Sequence, residues 1–337
     1  MLRWARGRTF GLPPSLRIVV LYAVTLFVVV TVIFALPRAM PSDPIEARQD
    51  PNNALFVNNA DGLKHLRAYY GLDKPLLQQY TSYLGRIFHG DLGYSIAQNI
   101  PVATIIRSRL PWTALLMGTS LLASSIIAYT VGISAAWWRG KRRDRALVAA
   151  MTGLRSVPEY ALASVLLIVF AVALPVLPLA GGSTAFAQYG SWWDAVADIG
   201  RHLALPALTL TIGLIGGRFL LVRNTTVSVL GEDYMVLARA KGLPTRALKY
   251  RHAGRNALLP FLTLLGLEIG FAVGGAIFVE TVFNYPGMGS MILGAVSTRD
   301  YPLIEGAFLT LATAVLLANL VIELVYRRLD PRVGARG

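Results

Sequence analysis

The chain has 337 residues, 55% of them hydrophobic and only 15% charged, well below the roughly 25% charged residues of a soluble domain. It carries a charge of +14, from 32 Lys and Arg against 18 Asp and Glu, and it has no cysteine, which excludes a disulfide framework, a thiolate metal site and a cysteine nucleophile. The positive charge calls for no nucleic acid, because it gathers in short stretches beside apolar runs, as the positive-inside rule requires.

A membrane helix needs about 20 mainly apolar residues, since each rises about 1.5 Å through a hydrocarbon core of about 30 Å. Six segments meet that condition: Ile18 to Leu36, Trp112 to Trp137, Pro158 to Leu177, Leu203 to Val222, Leu258 to Phe278 and Leu303 to Tyr326. The first is not a cleaved signal. It exceeds the usual apolar region of about 7 to 15 residues, and Pro37 and Arg38 follow where a small-residue cleavage site is needed.

The connections alternate in charge. Lys and Arg number four in residues 1–17, five in 138–146, six in 239–255 and four in 327–337, but one each in 178–202 and 282–302. Both termini are therefore expected in the cytoplasm. The segment 37–111 holds eight basic residues, yet segments beyond about 60 residues cross largely regardless of charge. The expected organisation is a cytoplasmic tail and first helix (1–36), an external helical segment (37–111), a five-helix core (112–326) containing a cytoplasmic loop (229–260), and a cytoplasmic tail (327–337).

Within the external segment, 41–59 reads as a loop. A helix follows over Asp61 to Tyr70, with Asp61 as a possible N-cap and Gly71 as its stop. Pro75 to Phe88 places Leu76, Leu77, Tyr80, Leu84, Ile87 and Phe88 on one apolar face. Such a helical cap either docks a partner or covers the bundle.

The cytoplasmic loop reads as helix, turn, helix. Glu232 and Asp233 suit a helix start and Arg239 and Lys241 its end, where the macrodipole favours each charge. Gly242 stops it, and Pro244 fits the first turn of the next helix. Tyr234, Leu237, Ala238 and Lys241 share a face. Ala238 and Ala240 keep the end narrow enough for a groove, although an amphipathic helix on anionic lipid would use the same basic residues.

Glu232-Asp-Tyr234 through Ala238-Arg-Ala-Lys-Gly-Leu243, then Arg255-Asn-Ala-Leu-Leu-Pro260, resemble the EAA loop of binding-protein-dependent ABC importers, in the form found in dipeptide and oligopeptide permeases. Further similar stretches are Tyr70-Gly-Leu-Asp-Lys-Pro75, Gly90-Asp-Leu-Gly-Tyr-Ser95, His202-Leu-Ala-Leu-Pro206, Glu280-Thr-Val-Phe-Asn-Tyr-Pro-Gly-Met-Gly289, Arg299-Asp-Tyr-Pro302 and Leu329-Asp-Pro-Arg332. The resemblance implies an all-α, type I importer permease fold of six transmembrane helices, in a prokaryotic cytoplasmic membrane. It also implies that Glu232, Asp233, Tyr234, Leu237, Ala238, Arg239, Ala240, Lys241, Gly242 and Leu243 form the coupling helix. The implied partners are a second homologous permease, two P-loop ATPase subunits or one fused chain, an extracytoplasmic binding protein and the lipid membrane. The strict family form opens with Glu-Ala-Ala, where this chain has Ala238-Arg239-Ala240.

The chain lacks the G-x-x-x-x-G-K-[ST] run that cradles phosphates, and its four His are scattered. No catalytic, metal or cofactor residue is expected, and ATP and Mg would sit in the partner ATPases. Two carboxylates are candidates for the translocation path. Glu268 lies inside the fifth segment, where a charge costs several kcal/mol unless it meets water or a partner. Glu280 stands near the outer end of that segment, where it either touches cargo or hydrogen-bonds the Asn284-Tyr-Pro-Gly-Met-Gly turn. The other readings are a permease for nickel or another small solute, a secondary transporter driven by an ion gradient, and a receptor or scaffold.

Overall fold

The computed structural model describes residues 14–39 and 60–329. The expected loop over 41–59, most of the N-terminal tail and the C-terminal tail from residue 330 lie outside the described residues. The described residues are mostly helical, and the one β contact among them is an isolated bridge between Tyr94 and Pro101.

Helix α1, Pro14–Arg38, is followed externally by α2, Ala60–Tyr69, and α3, Leu76–Phe88. Asp61 does not cap α2. The helix starts one residue earlier, and Asp61 serves it as the acid of its first turn. Gly71 stops the helix at φ +66°, in the left-handed region. Helix α3 packs on α1 through Val30, Phe34 and Tyr83, and the hydroxyls of Thr31 and Tyr80 lie 2.7 Å apart. The guanidinium of Arg38 stacks 3.6 Å from the Phe34 ring centroid and pairs with Glu305. Helix α3 and Arg38 thus join the end of α1 to the start of the last helix.

Helix α4 spans Val102–Trp137 and α7 Trp192–Val229. The latter starts in a capping box between Ser191 and Asp194. Between them the segment expected over Pro158 to Leu177 holds α6 (Glu159–Leu167), which runs on as a π-helix over Ile168–Ala173, and a further helix not expected from the sequence, α5 (Arg142–Arg155), precedes it. They meet at 96°. Pro158 disfavours the α region at Val157, so the break falls where the chain cannot continue α5. Leu174 to Leu177 lie beyond the helix.

Helix α8 is Asp233–Ala240, and α9 is Arg255–Val282. The second helix expected in the cytoplasmic loop is not separate: it starts after Pro244, turns π-helical over Ala247–Gly254 and runs straight into α9. Helices α10, Met288–Ser297, and α11, Tyr301–Leu329, complete the fold. Among the described residues, four helices are long and apolar enough to cross a membrane: Val20–Arg38, Val102–Trp137, Trp192–Val229 and Tyr301–Ile322. The bent α5–α6 pair is a fifth where the two helices are counted as one broken span. Helix α9, 28 residues long, contains the segment expected as the fifth crossing.

Helix α7 is the axis of the bundle. Its buried residues meet α4 through Leu116 and Ala128, and α9 through Val279 and Phe261. Close approach depends on glycine: a Cβ at Gly216 would stand 2.6 Å from the Met151 carbonyl oxygen, and one at Gly254 would stand 2.8 Å from Ile133.

Candidate functional site

At one end of the bundle, the end expected to face the cytoplasm, α8 sits across the ends of three long helices. Met235 is fully buried and Ala238 nearly so, packed with Leu248 and Ala253 of the π-helical segment and against Trp137, Val229 and Leu230. The expected common face of Tyr234, Leu237, Ala238 and Lys241 is therefore split. Ala238 turns inward with Met235, while Tyr234 is 40% and Leu237 57% exposed, with Val236 beside them at 58%. The basic residues are also placed: Arg239 lies 5.7 Å and Lys249 5.5 Å from the Trp137 ring centroid, a range in which cation–π attraction acts.

Glu232 is the N-cap residue of α8 and makes no side-chain cap bond, and Asp233 opens the helix. The Asn256 side-chain amide donates to the Tyr234 hydroxyl, tying α8 to the base of α9. Gly242 takes φ +71° with nothing within 4 Å of a built Cβ, so its backbone conformation, not crowding, calls for glycine. Leu243 is half-buried against the cluster under α8, and Ala240 and Lys241 are exposed at the turn.

Two charged pairs tie α7 to its neighbours. Near the α8 end of the bundle, Arg223 of α7 grips Asp144 of α5 with two parallel bonds of 3.0 and 2.7 Å. Deeper, Arg218 of α7 is fully buried. Its Nε donates to Glu268 Oε2 at 2.6 Å, and its Nη1 reaches the Leu121 carbonyl, Ser124 and Ser125 of α4. Glu268 keeps 21% of its side chain exposed, and its Oε1 stands 3.7 Å from a Cβ built on Gly217. A buried guanidinium without a partner would be prohibitive, and Glu268 with two serines compensates it. Arg218 was not singled out from the sequence, although an arginine inside an apolar segment is the same signal that marks Glu268.

At the outer end Glu280 is fully buried. Its carboxylate accepts from Thr113 Oγ1 and Gly289 N at 2.6 Å each, and from Ser290 N at 3.1 Å. It closes the Asn284 to Gly289 turn onto α4 and the start of α10, the hydrogen-bonding alternative raised above. Asp300 works likewise between α10 and α11. It takes bonds from Ile96 N and Ala97 N at 3.0 Å and from the Ser95 hydroxyl, which joins two of the motifs quoted above. Among the described residues no group of three or more His, Cys, Asp or Glu could hold a metal ion.

Residues 128–335 match the family "Binding-protein-dependent transport system inner membrane component", and residues 15–117 match the N-terminal family of such membrane components. A protein of Brucella ovis named "Putative peptide permease protein" is 41% identical over 303 residues, 89% of this chain and 92% of that one. The "Glutathione transport system permease protein GsiC" of Escherichia coli strain K12 is 35% identical over 336 residues, 99% of each chain.

Proposed function

The chain belongs to the family of binding-protein-dependent transport system inner membrane components, and from that premise we propose that it is one permease of an ATP-driven importer of small peptides. It is a transport component and not a catalyst. ATP hydrolysis would occur in two P-loop ATPase subunits or one fused chain that hold Mg and nucleotide. A second, homologous permease would complete the path, and an extracytoplasmic binding protein would deliver cargo. Both termini would be cytoplasmic in a six-span chain. The peptide class follows the names of the relatives, one of which moves glutathione, itself a short peptide.

The observation that carries the reading is the seating of α8. Met235 and Ala238 anchor it to the ends of α4, α7 and the helix leading into α9, while Tyr234, Val236 and Leu237 are left exposed. A short helix that is fixed on one side and apolar on the other suits a groove in a moving partner. Closure of the ATPases would be felt at three helices at once. By reciprocity, the permease state would bias closure by the same coupling free energy. Glu268, partly exposed beside Gly217, is the path carboxylate we retain; Glu280 is better read as the clasp of the outer turn.

The test is purification of the tagged chain from membranes in mild detergent, with identification of its companions and an ATPase assay with peptide and binding protein. Two P-loop ATPases, a second permease and peptide-stimulated hydrolysis are expected. A chain that arrives alone and inert would return the secondary-transporter or scaffold reading to the front.

A further inference from the structure

Against the first turns of α4 is a cavity of about 360 Å³, bounded also by the 95–101 turn, the Asn284 turn, α10 and the start of α11. Its floor is apolar, with Ile105, Met291 and Leu303. Besides Ser290 and Thr298, whose hydroxyls donate to backbone carbonyls, three longer polar side chains line it: those of Arg109, Gln98 and Asn284. None of the three makes a side-chain hydrogen bond or ion pair to another described residue. That contrasts with the charged groups beneath. Glu280 and Asp300 are fully enclosed, and their oxygens are occupied by the donors named above. The one charged side chain able to meet a guest is a cation. Asn284 is also held at φ +45°, a region that asparagine tolerates better than most residues, so its amide is presented from a fixed, mildly strained turn.

A cation, two free amides and an apolar floor match a terminal residue of a peptide: an aliphatic side chain below, a carboxylate on the guanidinium, and a peptide group between the amides. We propose that this cavity is an outer subsite that takes the C-terminal carboxylate of a peptide before it enters the path. The inference rests on the peptide reading and deepens it. Arg109 supplies charge-assisted, two-pronged hydrogen bonding, and Gln98 and Asn284 supply one donor and one acceptor each to the last peptide bond.

The test uses the whole importer complex in lipid nanodiscs, without binding protein. The probe is alanyl-photoleucine, either as the free acid or as its C-terminal amide, at millimolar concentration, and the labelled segments are read by mass spectrometry. The free acid should label the Met291 region and be displaced by unlabelled Ala-Leu, and the amide should label it roughly tenfold less, the loss of one charge-assisted contact. Arg109→Gln should erase the difference between acid and amide, and Arg109→Lys should restore part of it. Asn284→Gly suits the φ of that turn, so the fold is kept, and labelling should drop severalfold; it carries the test if Arg109→Gln fails to assemble. Equal labelling by acid and amide, or labelling indifferent to both substitutions, overturns the subsite. Uptake of Ala-Leu by the same complex with binding protein separates the two claims. Uptake without labelling near Met291 removes the subsite alone, and neither uptake nor labelling removes the peptide reading with it.

Discussion

Gly242 is a residue whose need for glycine lies in its torsion angle and not in its neighbours. Gly242→Val would carry a β-branched side chain at φ +71°, a penalty of about 1–2 kcal/mol where nothing else crowds it. Membrane insertion and subunit assembly should survive while uptake collapses. Gly242→Asn, which tolerates the left-handed region, should keep most uptake, and transport assays on the pair check this. Arg218 is the opposite case. Arg218→Ala leaves Glu268 half-buried without its cation, which costs about 3–5 kcal/mol for a broken buried pair. The thermal unfolding midpoint in detergent should fall sharply, and Arg218→Met with Glu268→Gln should recover much of it. The sequence made Glu268 visible because a carboxylate in an apolar run is conspicuous. Arg218, inside the apolar run 203–222, carries the same signal; that the two meet is not legible, because contacts between helices cannot be counted along the chain. For Glu280 the sequence left two roles open, since its three donors come from α4 and α10 and meet only in the fold.

At the scale of elements, α8 divides into an anchored and an offered side, and substitutions should divide with it. Met235→Ala removes a fully buried side chain, a loss of about 2–5 kcal/mol. It should loosen α8, so that ATP is hydrolysed without matching uptake. Leu237→Asp alters a side chain 57% exposed; stability should hold while the ATPases are lost from the purified complex. A measured ratio of hydrolysis to uptake, together with subunit recovery, separates the two. The start and stop of α8 were legible because acids, Gly242 and Pro244 are local signals. The inward turn of Ala238 and the run of π-helix into α9 were not, since both are decided by Trp137, Val229 and Leu230 packing from elsewhere. The start of α6 was legible at Pro158, where the apolar run begins; the helix before the break, α5, was not, because its basic, weakly apolar sequence reads as a connection.

For the whole molecule, the alternation of basic and nearly neutral connections predicts its placement in the bilayer, and the lack of cysteine makes the prediction clean to test. Single cysteines introduced at Thr245 and at Ala187 should react oppositely with a membrane-impermeant maleimide applied to intact spheroplasts: Ala187→Cys labelled, Thr245→Cys protected until the membrane is opened. Labelling of both, or of Thr245→Cys alone, would reject the assigned orientation. Hydropathy alone suffices to find most of the crossings, because an apolar run of membrane length is a property of the chain itself. The joints between crossings depend on Asp300, Glu280 and Arg223, each satisfied by residues remote in sequence.

The union of the π-helical segment with α9 has a mechanical consequence. The inner end of this helix is irregular twice over, at Ala247–Gly254 and at Pro260, and both interrupt the regular backbone ladder. From there it runs on as helix to Glu280, a lever arm of about 30 Å at about 1.5 Å per residue. A swing of about 10° at that pliant base would carry the far tip about 5 Å, by the same geometry. The tip is where Glu280 clasps the turn bearing Asn284, so a nudge delivered at α8 would arrive, amplified, at the rim of the outer cavity.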